Sequence, residues 1–376
     1  MGVRRVLVVG GGVTGSVLAL ALAQRGVEVE LVEIAPQWFG VGHGITVQGN
    51  ALKALRSVGV ADEVIERGYS FDHLRLLKAD GSLIADLETP HTGGPDLPST
   101  IGSVRAALQD VLCKKVYDAG VTVRLGLTVT GFTQDDTGVE VVFTDGSSGS
   151  YDLVVGADGI RSHMRSLLGI DAKPAGVGMT IWRVVSRRPP QMRCADVYYG
   201  GPHYKAGYSP ISDELCYAYM LDEDLDTASF GDRPLGSVLK ERSAGYGGIW
   251  GEIRETIDET TPVDFRRIEY LLVPDPWYRG KVIIIGDAAH ACPPLIAQGA
   301  AMCAEDAVVL AELVTGAGAG ALRDALGAFM LRRLPRVRMV VENSLQLADW
   351  EIHPDTPGAD PGGVMTRTLT SLVAPA

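Results

Sequence analysis

Three short runs carry residue types and spacings that do chemistry. The first, Gly10-Gly11-Gly12-Val13-Thr14-Gly15, follows the β-branched run Val6 to Val9 and precedes the apolar stretch Val17 to Ala23. It is G-x-G-x-x-G set between a strand and a helix, the pattern of a dinucleotide site. Gly10 allows the tight turn, Gly12 has no side chain to hold a pyrophosphate away, and Gly15 lets helix and strand pack closely. Val13 and Thr14 open the helix, whose bare N–H groups face the phosphates. Gly26 is placed to cap its far end. A second strand, Val27 to Val32, delivers Glu33, whose carboxylate suits ribose hydroxyls rather than a ribose phosphate.

The second run follows the strand Tyr151 to Val155 and reads Gly156-Ala157-Asp158-Gly159-Ile160-Arg161-Ser162-His163-Met164-Arg165. It has two readings: a second phosphate or ribose contact at the carboxyl edge of the sheet, or a turn in which Asp158 caps a helix. The third follows the buried strand Val282 to Ile285 and reads Gly286-Asp287-Ala288-Ala289-His290, then Pro293-Pro294 and Gln298-Gly299-Ala300-Ala301. A helix from Ala300 to Thr315 offers its N-terminus to an anion or carbonyl. His290 lies in a turn and reads as structural.

The elements that position these runs alternate between α/β and β-rich character. Asn50 is expected to cap a helix, Ala61 to Arg67 to form another, and Leu74 to Leu77 with Ser82 to Leu87 to form a hairpin. Pro90 to Pro98 reads as a loop. Ser103 opens the helix Val104 to Ala119, which carries Arg105 near its start. Strands follow at Val121 to Leu125, Leu127 to Phe132 and Val139 to Phe143. From Asp171 to Pro276 the candidates Met179 to Arg187, Asp196 to Tyr199, Leu215 to Met220 and Phe265 to Val273 predict an antiparallel sheet, with helices near Leu235 to Ser243 and Ile249 to Ile257. This region concentrates Trp182, Tyr198, Tyr199, Tyr204, Tyr208, Tyr217, Tyr219 and Trp250. They read either as the lining of a pocket for a flat ligand or as strand packing. A long helix, Ala321 to Trp350 with Pro335 inside it, lies outside, and the proline-rich end reads as a trailing segment.

With 376 residues, 46% of them hydrophobic, the chain buries a large core in about two domains. A net charge of -12 argues against nucleic acid or an anionic membrane as the main partner. The five cysteines include no C-x-x-C pair and read as reduced thiols. The first strand begins almost at Met1, and no apolar run reaches the roughly 18 residues of a membrane span. These features predict a cytoplasmic protein, monomer or homodimer, without a metal.

Taken together, and in this order, the three motifs resemble the flavoprotein aromatic hydroxylases of the p-hydroxybenzoate hydroxylase fold. Asp158-Gly159-x-x-Ser162-x-x-Arg165 and Gly286-Asp287-Ala288-Ala289-His290 match that family's second and third signatures. The resemblance covers the chain apart from its last residues. It implies an α/β fold: a Rossmann-like FAD-binding domain (1–72, 98–170 and 276–376, the last with C-terminal helices) with an inserted, mainly antiparallel substrate domain (73–97 and 171–275). It implies that Gly10, Gly12, Gly15 and Glu33 bind the ADP half of FAD, and that Arg105 and Asp158 lie along the pyrophosphate and nicotinamide route. Asp287 would hold a ribityl hydroxyl, backbone around Gly299 and Ala300 would meet the pyrimidine side of the flavin, and Val129 would contact the adenine side through its backbone. Two residues depart from the pattern: Ile34 replaces an Arg after the ribose acid, and Ala297 replaces a Gly before Gln298. The Ala-Gln-Gly-Ala run and the short length are similar to single-component oxygenases of hydroxypyridine carboxylates.

The activity so implied is an NADH- or NADPH-consuming monooxygenase that inserts one atom of O2 into an aromatic or heteroaromatic ring through a flavin C4a-hydroperoxide. Arg183, His203 and Tyr217 are the candidate catalytic residues: a guanidinium for a carboxylate or oxyanion, and groups for proton removal. Arg105 and the Gly40 to Gly44 loop are candidates for electron delivery. Alternatives are a flavin reductase, an epoxidase or a ring-opening oxygenase on the same fold, or a flavin-binding scaffold or sensor. A halogenase lacks support, since no W-x-W-x-I-P segment is present.

Overall fold

The computed structural model describes residues 2–38, 43–316 and 321–376. At its centre the strand Arg5–Val9 is buried from Val6 onward, so its run is continuously apolar rather than alternating. It sits in a six-stranded sheet ordered Tyr278–Arg279, Val282–Ile284, Leu153–Gly156, Arg5–Val9, Glu28–Glu33, Thr122–Leu125. All neighbours are parallel except Tyr278–Arg279, which pairs antiparallel at the edge. Val9 is in register with Gly156, and Gly156 with Ile284. Parallel strands in register end on the same side, so the three motifs emerge together at one carboxyl edge, where open α/β sheets bind ligands. Helices Val13–Ala23 and Gly299–Gly316 pack against each other beside this edge.

A second sheet of seven strands runs Asp264–Tyr270, Ala175–Arg187, Leu215–Glu223, Lys205–Pro210, Ala195–Tyr199, His73–Lys78, Leu83–Glu88. It is antiparallel except where Ala195–Tyr199 meets His73–Lys78. Its two faces differ because side chains alternate along a strand. Trp182, Tyr198 and Tyr208 enter a closed core with Trp250 and Tyr246 under helices Leu235–Arg242 and Gly248–Glu255. Ile181, Arg183, Tyr199, Tyr217 and Tyr219 face the first sheet across a cleft. The aromatic cluster therefore divides between packing and lining.

Several local expectations need correction. Asn50 does not cap its helix, Gly49–Ser57; Gln48 occupies that position, and the Asn50 side chain turns inward to Gln298 and Glu305. Ser103 is buried in the strand Thr100–Val104, which leads directly into helix Arg105–Asp118, so no polar cap signals the start. Tyr151 to Val155 is two strands: Ser148–Tyr151 closes a meander with Val139–Phe143 and Val129–Gln134, and Leu153–Gly156 joins the parallel sheet. Lys205–Pro210, not among the expected strands, pairs along its whole length with Leu215–Glu223 and over Ala206 to Tyr208 with Ala195–Tyr199. The trailing end contains helix Pro361–Ser371, capped by Asp360 and packed on helix Leu322–Ile352. None of the described helices is long and apolar enough to cross a membrane. The five cysteines are free thiols.

Candidate active site

One cleft of about 2400 Å³ joins the carboxyl edge of the parallel sheet to the open face of the antiparallel sheet. Small-ligand pockets typically occupy about 300–1,000 Å³, so this space suits a large cofactor and a second molecule together.

On the parallel side the three motif glycines separate by what a side chain would meet. A Cβ on Gly10, whose φ is +108°, would fall 2.4 Å from the Ala157 carbonyl oxygen, and one on Gly15 would fall 1.9 Å from that of Gly10. On Gly12 it would meet no protein atom within 4 Å. Gly10 and Gly15 thus serve packing, whereas Gly12, with Val13 and Thr14, borders open cleft. Helix Val13–Ala23 has no side-chain cap, leaving its first N–H groups to a ligand. The turn is pinned from behind: the Gly11 carbonyl accepts from Ser16 Oγ at 3.0 Å, Trp38 Nε1 at 2.8 Å and Gln109 Nε2 at 2.8 Å. Trp38 therefore braces the turn; Phe39 to Gly42 lie outside the described residues.

Glu33 lines the same space, its carboxylate accepting from the N–H of Gly11 at 2.7 Å and of Ala35 at 2.9 Å. Each oxygen keeps a further lone pair for a hydroxyl. Arg105, first residue of its helix, is exposed on the cleft wall. Asp158 also borders the cleft, but its carboxylate is engaged by Ser162 Oγ and the N–H groups of His163 and Met164, which start helix His163–Leu167. The cap itself is Ser162, which accepts from Arg165 N. Val129 is fully buried, and Thr128 beside it forms the wall. Asp287 is different: its protein donor among the described residues is the Cys303 thiol at 3.5 Å, and burial raises its carboxyl above the ordinary range. A hydroxyl donor from a ligand would satisfy it. Gly299 and Ala300 border the cleft at the start of the next helix.

Beneath this edge lies a buried ion network. Asp306 accepts from His290 Nε2 at 2.6 Å, Gly286 N at 2.9 Å and Arg333 Nε at 2.7 Å. Glu305 accepts from Arg333, Arg336 and Asn50. It ties the Gly286 to His290 turn to helix Leu322–Ile352 and gives His290 its structural role.

On the facing sheet, Arg183 donates to Asp264 at 3.1 Å and lies beside Tyr217, whose phenol its charge favours in the ionised form against the larger effect of burial. Tyr217 and Tyr219 stack with ring centroids 5.8 Å apart, and burial raises both phenols above their ordinary range. Gly44 meets this floor so closely that a Cβ would lie 2.4 Å from Tyr217 Cβ. His203 reaches the cleft wall but both ring nitrogens face acceptors: Nδ1 lies 2.8 Å from Asp222 Oδ1 and Nε2 3.1 Å from the Arg242 carbonyl. Arg242 also donates twice to Asp222, at 2.6 and 2.8 Å, filling with a guanidinium the space among His203, Asp222 and Glu223 that a cation would need.

The family model described as "FAD binding domain" matches residues 4–216 and 252–344. The chain belongs to the FAD-binding family of flavoprotein aromatic hydroxylases. This flavoprotein is 31% identical over 354 residues to the aurachin C monooxygenase/isomerase of Stigmatella aurantiaca, covering 92% of this chain and 90% of that one. It is 31% identical over 356 residues to the 2-heptyl-3-hydroxy-4(1H)-quinolone synthase of Pseudomonas aeruginosa, again covering 92% and 90%. Among solved structures, Klebsiella pneumoniae HpxO complexed with FAD and uric acid shares the fold with a TM-score of 0.82 at 23% identity, over 98% of this chain and 92% of that one.

The flavoprotein's two departures have distinct structural consequences. Ile34 is 70% exposed at the cleft and supplies no cation there. Ala297 stands at φ +54°, the left-handed conformation that a glycine adopts without strain. Sequence reasoning missed three cleft residues. His43 Nδ1 is shielded from solvent with no hydrogen-bond partner among the described residues. Lys205, nearly buried, pairs with Glu351 from the long helix and lies 5.8 Å from the centroid of the Tyr199 ring. Tyr219 appeared only as one of many aromatics. A signal was present for Lys205, since a lysine between apolar and aromatic residues on a strand is unusual. None marked His43.

Proposed function

We propose that this flavoprotein consumes NADH or NADPH and O2 to place one oxygen atom on an electron-rich aromatic or heteroaromatic ring, releasing the other as water. The observation that carries this reading is the continuity of one cleft from the Gly12 cradle and Asp287 to the Arg183, Tyr217 and Tyr219 floor. Residues 1–72, 98–170 and 276–376 form the cofactor half, and 73–97 with 171–275 the substrate half. The name of one relative carries a quinolone, and the fold neighbour holds uric acid, both heteroaromatic.

Bound FAD supplies the electron transfer and oxygen activation that side chains cannot. The open space at Gly12, the uncapped helix beside it and the Asp287 carboxyl, held among the described residues by one weak thiol donor, fit that group. Gly12, Val13, Thr14 and Glu33 hold its ADP half on the turn that Gly10 and Gly15 allow to close, Arg105 and Asp158 border the pyrophosphate, Val129 positions the adenine-side strand, and Asp287, Gly299 and Ala300 meet the ribityl and ring end. The Tyr217 and Tyr219 rings support a flat substrate. Arg183 orients its oxyanion through a planar fork, and Tyr217, kept protonated by burial, donates to it. His203, held by Asp222 and Arg242, positions the wall rather than taking a proton. His43 is the group with a nitrogen to spare: burial lowers its pKa from 6.5, so it stays neutral and able to accept a phenolic or ring N–H proton. The acid limb of kcat/KM should therefore fall below pH 6.5 and disappear in His43→Ala; an unchanged pH profile in that variant removes His43 from the role.

The deciding experiment is NAD(P)H oxidation by the FAD-loaded protein in ¹⁸O2 with hydroxylated benzoates, pyridines and quinolones. Stimulated oxidation with one labelled oxygen in the product supports the reading. Product formation without O2 replaces it with a reductase, and no oxidation with any ring favours a scaffold. Sedimentation of the same protein distinguishes monomer from homodimer.

A further inference from the structure

The antiparallel sheet continues well past the ring site. From the strand of Tyr217 and Tyr219 it extends through Lys205–Pro210, Ala195–Tyr199 and His73–Lys78 to the edge strand Leu83–Glu88. That is four inter-strand steps, on the order of 19 Å. On the last three strands, beyond Tyr199, the cleft is faced by Ala195, Val197, Leu74, Leu76, Ile84 and Leu87. Register sets them side by side, Val197 beside Leu76 and Leu74 beside Leu87. The cleft floor thus changes along its length, from Arg183, the tyrosines and Lys205 to aliphatic carbon.

Among the described residues, the outer end of this strip is not closed over. Ile84 is 52% and Leu87 44% exposed, on an edge strand where natural sheets usually place charge. An exposed aliphatic patch continuous with a cofactor cleft marks a ligand surface. We propose that the strip receives an aliphatic side chain carried by the ring substrate, so that the substrate class is an alkylated aromatic or heteroaromatic compound rather than a small polar acid. The proposal rests on the ring-oxygenation reading and adds the substituent to it. One 31% identical relative is named for a 2-heptyl ring.

The test titrates methyl- and heptyl-substituted pairs in benzoate, pyridine and quinolone series into the full-length, FAD-loaded protein, reading binding by calorimetry. A fully enclosed methylene contributes about fourfold in affinity, and one on a one-sided strip about twofold, so six added methylenes should tighten binding on the order of 50-fold in at least one series. In the double variant Ile84→Gln with Leu87→Gln, at exposed positions that leave the fold intact, the ratio should drop below about tenfold while the methyl compound binds as before. Equal affinity of methyl and heptyl compounds in every series, or a ratio unchanged in the variant, overturns the proposal. So does a wild-type dimer that the double variant turns into monomer without any chain-length preference, since the strip would then be covered by a second copy. A clear preference for heptyl with no ¹⁸O transfer keeps the aliphatic subsite and sinks the monooxygenase reading instead.

Discussion

The two walls of the cleft are built by opposite means. The cofactor wall presents backbone, glycines and uncapped helix starts, with the Glu33 and Asp287 carboxyls among them, held by charges buried behind it. The substrate wall presents side chains on alternate strand residues, with its ion pairs in the cleft itself. Arg333 and Arg183 show the contrast. Each bonds a carboxylate, but Arg333 is wholly buried among Asp306, Glu305 and the Met302 carbonyl, whereas Arg183 remains 27% accessible beside Asp264. A charge in the first position is committed to the fold, and in the second it is available to a ligand.

Breaking these two pairs should give the largest and most divergent effects. Arg333→Met takes the guanidinium from the wholly buried Asp306 Oδ1, while Glu305 keeps Arg336, and is expected to cost about 3–5 kcal/mol, with loss of FAD, measured by chemical denaturation and flavin absorbance. Arg183→Met should cost less than about 1 kcal/mol in stability, the usual limit for a partly solvated pair, and instead raise KM. Equal destabilisation by both would erase the distinction.

Within the cofactor wall the glycines sharpen it. Gly15→Ala drives a Cβ into the Gly10 carbonyl and should destabilise the apoprotein by more than about 2 kcal/mol. Gly12→Val should leave the apoprotein melting as before but yellow-poor, because the added carbons meet only cofactor space. Full FAD occupancy in Gly12→Val contradicts the assignment.

Acid should not separate the halves. Burial pushes Asp306 and Asp222 up, but His290 with Arg333, and His203 with Arg242, overcome it and hold each carboxyl at about 2. Both folded values lie below the ordinary 3.8, so the stability they contribute is present above that value and lost as pH falls toward about 2. One cooperative acid transition in this window, by both tryptophan and flavin signals, is expected. The smallest effect is at the departure in the flavin loop: Ala297→Gly relieves a left-handed alanine and should stabilise by about 1 kcal/mol without changing FAD affinity.

How much was readable follows the same division. Gly10 to Gly15 and Glu33 were legible as a strand-turn-helix pattern because backbone geometry there restricts which residues fit, and that restriction is local in sequence; a role for Asp287 came only with the family resemblance, and Asp158 kept two readings. Even there the detail differed, since the Asp158 carboxylate is taken up by its own helix start. On the other wall, Arg183 and Tyr217 were named from residue type alone. The Arg183–Asp264 pair, the engagement of His203 by Asp222 and the setting of His43 beside Asp264 bring together residues 19 to 221 positions apart.

The sequence by itself determined the strand-turn-helix units, the position of the glycine-bounded cradle and the membership of the family, because helical and strand periods and φ restrictions act over a few residues. Tertiary structure alone decided which tyrosines pack and which line the cleft, which charges are buried and which are offered, and that an aliphatic strip continues from the ring site. Those properties arise from strand register, which places residues far apart in the chain on one face, and a one-residue shift would exchange the two faces of the sheet.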